Sequence, residues 1–216
     1  MNEINNLDKN NFMSKDWTGN TKSVHTTLGA SNHSDKERQN EDYYATDPVA
    51  AKFLLEIENF DKNIPIWECS SGEDHLANIF KKAGYSVRTS DIIPRTETTE
   101  VLDFLSNNNN QIWNGHIITN PPYKFAKEFV EKAMNLIPDG YKVCMFLKLQ
   151  FLEGKGRKNL FMKYPPKTIH VSSSRIMCAK NGDFEAMIKD GGSAVAYGWY
   201  IWEKGYQGDT VIKWFN

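Results

Sequence analysis

From residue 43 onward the apolar positions follow two rhythms, one of a helix and one of a strand. Val49, Phe53, Leu54, Ile57 and Phe60 recur at helical spacing, predicting a helix to about Asn59. Thr46 or Asp47 suits its N-cap and Pro48 its first turn. Residues 64–68 form a short apolar run that breaks at Cys69-Ser70-Ser71-Gly72-Glu73-Asp74. A second helical face follows, with Leu76, Ile79 and Phe80, closed by Gly84 as its C-cap. Residues 85–90 read as a strand ending at Asp91, and 96–106 are short and mixed. The four-Asn run 107–110 reads as a surface loop. A strand then runs through Ile117, Ile118 and Thr119. Phe125, Phe129, Ala133, Met134 and Ile137 mark the next helix, ended by Pro138-Asp139-Gly140.

Residues 141–149 are apolar enough for a central strand. After them come a basic helix or loop at 154–164, a Pro165-Pro166 break, a strand at 168–172 and a short one within 174–179. Residues 181–192 read as a loop with two turns. Residues 194–202 and 211–215 read as two strands joined by a Gly-rich turn. Strands alternating with helices and ending in two close strands predict an α/β fold. The expected architecture is one mostly parallel, seven-stranded sheet with an antiparallel C-terminal hairpin. Residues 1–42 are polar, with no sustained period, and read as a flexible arm ahead of a single domain at 43–216.

Composition narrows the class. A chain of 216 residues suits one full core plus a tail. No apolar run approaches the roughly 18 residues of a membrane span. Residues 1–11 lack the apolar centre of a secretory signal, so a cytoplasmic location is expected. Cys69, Cys144 and Cys178 lie far apart without metal spacing, and their odd number speaks against a disulfide framework. Buried thiols are expected. Net charge is −1, yet residues 148–180 carry eight basic side chains and one acid, Glu153. That stretch is either a solvated basic face or a phosphate-contacting surface.

The chemistry centres on Asn120-Pro121-Pro122-Tyr123. Two prolines in succession remove two backbone donors and fix φ, so the strand must end there in a rigid tip. The tip holds an amide and an aromatic ring at the carboxyl edge of the sheet, where open α/β sheets bind ligands. Upstream, the turn from Glu68 to Gly72 lets a backbone approach a ligand at a helix N-terminus. An acid about twenty residues on, Asp91, stands where nucleoside cofactors are held by their ribose hydroxyls. Asp103-Phe104 precedes the Asn-Pro-Pro-Tyr strand and reads either as an exposed acid beside a core ring or as a pair that meets an adenine.

In this order, the motifs resemble those of S-adenosylmethionine-dependent amino-methyltransferases. The likeness is to small phage or mobile-element enzymes that methylate adenine N6 in DNA, and it covers residues 43–216. It implies a Rossmann-like class I methyltransferase domain with S-adenosylmethionine as cofactor and a base flipped out of DNA, with RNA also open. It implies that Asn120 and the Pro121 carbonyl accept hydrogen bonds from the target amino group, that Pro122 stiffens the loop, and that Tyr123 stacks on the base. Glu68, Ser70, Gly72, Asp91, Ile92, Asp103 and Phe104 would hold the cofactor, with Thr46 and Pro48 near its amino-acid end. Lys155, Arg157, Lys158 and Arg175 would touch phosphates. The chain departs from the family in having Asp74 where a second glycine is usual, which sets a Cβ and a negative charge beside the expected cofactor. Protein-glutamine or RNA methylation, or a binding domain without catalysis, are the other readings. Oligomeric state is not legible.

Overall fold

A computed structural model of the chain describes residues 43–180, 182–189 and 195–216. The expected polar arm, 1–42, residues 181 and 190–192 of the expected loop, and residues 193 and 194, the last of them the start of an expected strand, lie outside the described residues. In chain order the elements are β1 (Tyr44–Thr46), α1 (Val49–Ile57), β2 (Ile66–Glu68), α2 (His75–Lys82), β3 (Val87–Asp91), β4 (Glu100–Val101) and β5 (His116–Thr119). They continue as α3 (Ala126–Leu136), β6 (Lys142–Lys148), α4 (Lys158–Lys163), β7 (Thr168–Ser172), β8 (Cys178–Lys180), α5 (Phe184–Lys189), β9 (Tyr197–Glu203) and β10 (Val211–Phe215). Short 3-10 turns fall at Tyr123–Phe125, Leu149–Leu152 and Lys155–Arg157.

Eight strands make one sheet in the order β10-β7-β9-β6-β5-β2-β3-β4. The mostly parallel α/β architecture is the one the alternating pattern predicts. The strand beyond the expected seven is β4, two residues inside the mixed 96–106 stretch. Antiparallel pairing does occur near the C-terminal end, but not as β9 folded back on β10. Strand β9 runs antiparallel between β6 and β7, and β10 lies parallel on the outer side of β7. Two further elements escape the periodicity. Strand β1 is three residues long and pairs antiparallel with β8, and α5 is a six-residue helix inside the expected loop.

Alternation along the strands sorts the core into two layers. Trp67, Ile117, Val143, Met145, Leu147, Tyr200 and Trp202 face α3 and α4. Ile66, Ile118, Cys144, Phe146, Trp199 and Ile201 face α1 and α2. Burying each large ring is worth about 1.5–3 kcal/mol, provided its polar handle is satisfied. The handles are satisfied: the indole N–H of Trp199 donates to the Ala50 carbonyl at 2.9 Å, and that of Trp202 to Tyr164 at 3.0 Å. All three cysteines are free and buried. Among the described residues no helix is long and apolar enough to cross a membrane.

One charged cluster ties α1 to the sheet. Glu58, the C-cap of α1, receives Lys142 Nζ at 2.6 Å and lies 3.1 Å from His170 Nε2. Burial alone would raise the Glu58 carboxyl, but the bonds from His170 and Lys142 outweigh it and bring its pKa down to about 2. A depressed carboxylate stabilises the fold above its unfolded pKa, and that contribution is lost as pH falls towards about 2. Glu58→Gln is expected to cost about 2 kcal/mol at pH 7, after allowance for partial exposure. Urea unfolding of both proteins at pH 7 and pH 3 checks this, since the gap between them should narrow at the lower pH.

Candidate active site

The sheet changes direction of growth between β2 and β5. From β2 the chain adds β3 and β4 on one side, then returns to lay β5 on the other. That is the topological switch point, and the crevice outside the carboxyl ends of the two strands is the natural ligand site. Glu68 ends β2, Asp91 ends β3, Asp103 follows β4 and Asn120 follows β5. Because these strands are parallel, the four residues share one edge.

Asn120 is held from one side only. Its Nδ2 donates to Thr46 Oγ1 at 2.7 Å and lies 3.9 Å from Cys178 Sγ. The β1–β8 pair brings those partners in, since Thr46 and Cys178 are in register. The Asn120 Oδ1 is buried with no hydrogen-bond partner among the described residues. An unpaired buried carbonyl oxygen costs about 1–3 kcal/mol. It is therefore an acceptor waiting for a donor. Pro121 and Pro122 follow, and Pro122 leads into the 3-10 turn that carries Tyr123. The Tyr123 ring is half-buried, 6.0 Å from Tyr44 and 5.9 Å from Tyr197, with Lys148 Nζ 4.5 Å from its centroid. Burial and the neighbouring Cys178 and Tyr197 push its phenol well above the ordinary range.

On the β2 side, Glu68 is fully buried and its Oε2 has no partner among the described residues. Burial and the nearby Asp74 push its carboxyl well above the ordinary range. Gly72 takes φ +55° and donates its N–H to Asp91 Oδ2 at 2.9 Å. The other oxygen of Asp91 accepts from Ile93 N–H at 3.0 Å. The Tyr43 ring lies against Gly72, and the Arg95 guanidinium sits 4.1 Å from that ring.

Asp74 adopts φ +60°, the left-handed conformation that a glycine would supply without cost. Aspartate tolerates it better than most residues. Its carboxylate does not stand alone: hydroxyls of Thr96 and Thr98 lie at 3.4 Å and that of Thr99 at 3.3 Å, and Lys81 Nζ approaches to 3.4 Å. The charge beside the turn is thus answered by three threonines and a lysine.

Not every expected residue lies open at the edge. Phe104 is buried, its ring packed against Trp67 and Phe129 at 5.4 and 4.9 Å, so it serves the core. Asp103 is exposed and accepts from Leu105 N–H at 2.9 Å, shaping its own turn. Ser70 is half-buried and Ile92 is 64% exposed, both on the same edge. Pro48 sits at the N-cap of α1, where the Asp47 carboxylate accepts from Val49 N–H at 2.9 Å. Lys155, Lys158 and Arg175 are exposed. Arg157 turns back on its own loop, donating to the carbonyls of Gln150 and Glu153. The sequence reading passed over Tyr43, Tyr197, Gln150 and the threonines at 96, 98 and 99. Only the last left a local trace, three hydroxyls within four positions.

No protein-family model matches the chain, and no curated protein matches it. Solved structures do. One is a Listeria monocytogenes protein described as a class I S-adenosylmethionine-dependent methyltransferase, at TM-score 0.53 and 14% identity, covering 77% of this chain and 63% of that one. The type I restriction enzyme EcoKI M protein matches at TM-score 0.51 and 13% identity, over 74% of this chain and 43% of its own. A Vibrio vulnificus protein described as a modification subunit of a type I restriction enzyme matches at TM-score 0.54 and 11% identity, over 88% and 48%. The chain thus spans less than two thirds of each of these structures. With the strand order and the switch point between β2 and β5, these likenesses establish the fold: a Rossmann-like domain of the class I methyltransferase type.

Proposed function

We propose that the protein transfers a methyl group from S-adenosylmethionine to the exocyclic amino group of adenine in nucleic acid, DNA before RNA. The observation that carries this reading is the buried, unpartnered Oδ1 of Asn120 at the switch-point edge. An aromatic amino nitrogen is a poor nucleophile because its lone pair is delocalised into the ring. Hydrogen bonds accepted from its two N–H groups by Asn120 Oδ1 and the Pro121 carbonyl return electron density to it. Thr46, by accepting from Nδ2, keeps the amide turned so that Oδ1 faces the amino group. So oriented, the amino nitrogen would be poised to take the methyl group that S-adenosylmethionine would supply, the carbon–sulfur electron pair staying with sulfur, and one amino proton would then leave to water. Catalysis rests on geometry and preorganised dipoles.

The residues present fit the cofactor. The unpartnered Glu68 Oε2 suits an ammonium group, and Asp91 offers a carboxylate at the end of β3. When bound, S-adenosylmethionine supplies a methyl group on a positively charged sulfur. A nucleic-acid target is supported by the exposed Lys155, Lys158 and Arg175, and it agrees with restriction-enzyme modification proteins having this fold. The test is methyl transfer from labelled cofactor to DNA, RNA and lysate protein, followed by nucleoside analysis. Label in N6-methyladenine of DNA is the expected result. Label in RNA or in protein glutamine reassigns the substrate, and failure to bind S-adenosylmethionine in calorimetry overturns the reading.

A further inference from the structure

Strands β5 and β6 are neighbours, with Thr119 opposite Met145, so the segments leaving their carboxyl ends stand side by side. From β5 comes Tyr123, and from β6 comes the 3-10 turn Leu149–Leu152. Between them lies a pocket of about 190 Å³ whose lining includes Tyr123, Leu147, Lys148, Gln150, Phe151 and Arg157. This is below the range of drug-sized sites and suits one planar heterocycle. Its walls are of the right kind: Tyr123 and Phe151 supply rings, and Ala126 and Leu147 are apolar. Phe151 is fixed by edge contacts at 5.7 Å to both Phe161 and Tyr200.

The polar side of the pocket is held by Arg157. Its guanidinium donates to the Gln150 carbonyl at 3.1 Å and to that of Glu153, and sits 5.1 Å from the Phe151 ring. Gly154, at φ +116°, makes room for it, since a Cβ there would lie 2.9 Å from Nη2. The Arg157 Nε–H is buried at this wall with no acceptor among the described residues. Gln150 itself is exposed at the rim, with a donor and an acceptor on one amide. The donor answers an adenine edge, which offers a ring nitrogen as acceptor beside the amino group.

We propose that this pocket receives the flipped adenine and that Gln150 reads its edge, with Arg157 as the positioning residue that fixes the Gln150–Phe151 turn. The assignment rests on the adenine-methyltransferase reading and names the residue through which that site selects its base. Gln150 offers its N–H to the ring nitrogen beside the amino group that Asn120 engages. A neutral amide serves where a carboxylate would lack the donor.

The experiment uses the full chain in two parallel assays. In the first, saturation-transfer NMR follows binding of deoxyadenosine monophosphate or thymidine monophosphate in the presence of saturating S-adenosylhomocysteine, which keeps the cofactor cleft from being counted. In the second, methyl transfer to random-sequence DNA is measured. Wild-type protein should bind the adenine nucleotide in preference to the thymine one. Gln150→Ala and Gln150→Glu should lose that preference and, in methyl transfer, fall roughly tenfold to a hundredfold in kcat/KM, with unchanged affinity for S-adenosylhomocysteine. Because Gln150 is exposed, both variants should melt with the wild type. Wild-type binding of adenine nucleotide without methyl transfer, if lost in Gln150→Ala, supports the pocket while refuting the catalytic reading. An absence of adenine preference in the wild type, or its persistence in both variants, overturns the assignment of Gln150.

Discussion

Asn120→Ala is expected to lower methyl transfer by at least about a hundredfold, the scale seen when one preorganised dipole is removed from a developing charge. The substitution removes the unpartnered Asn120 Oδ1 from the tip of β5 and leaves the Pro121 carbonyl to act alone. It leaves the β2 side untouched, because Glu68, Gly72 and Asp91 make no hydrogen bond to Asn120. Affinity for S-adenosylmethionine should therefore stay within about twofold, the change expected when no contact is lost. Stability should change by no more than about 1 kcal/mol, because the lost bond to Thr46 Oγ1 is offset by removal of the unpaired Oδ1. Single-turnover transfer and calorimetry on the same preparation separate these effects. Full activity in the variant would refute the role given to Asn120.

Gly72→Ala is expected to damage the other half of the site. At φ +55° an alanine is strained by about 1–2 kcal/mol. Its Cβ would also fall 2.4 Å from Cε2 of the Tyr43 ring, which is held by Arg95 on the ring and by Glu73 N–H donating to its hydroxyl at 3.3 Å. Overpacking of this kind adds about 1–3 kcal/mol. The total, about 2–5 kcal/mol, should lower the melting temperature by roughly 4–20 °C and weaken S-adenosylmethionine by at least about tenfold. Asp74→Gly is the contrast. It keeps the left-handed turn without strain and gives up only the threonine and Lys81 contacts, so cofactor affinity should hold.

Much of this frame is written locally in the chain. The strands Thr168–Ser172 and Val211–Phe215 carry the bounds their apolar runs predict, and the helices begin and end within a few residues of their periodic faces. The edge of the sheet is legible too, because acids and the Asn-Pro-Pro-Tyr tip fall where successive parallel strands end. What is not legible depends on distant partners. Thr46 and Asn120 are 74 positions apart, and no period reports that β1 will pair with β8 to join them. Phe104 has the same local signature whether it meets an adenine or a core, and Trp67 and Phe129 decide for the core. Arg157 reads as one more cation in a basic run until Gly154 lets it fold back. The position of β10 is a further case, since a Gly-rich connection fits either a tight hairpin or a strand carried past its neighbour.

The place of β9 bears on how the chain can be assembled. It leaves the ribosome after both β6 and β7, yet it sits between them and bonds to both. Until it arrives, β6 and β7 each present an open edge of unpaired peptide groups, the kind of surface that invites pairing with other chains. Trp199, on that strand, also supplies the N–H that closes on Ala50, 149 positions earlier. Closing contacts so far apart is slow compared with forming local helices. A nascent chain halted before Tyr197 would lack the strand that joins β7 to the β2–β6 half of the sheet.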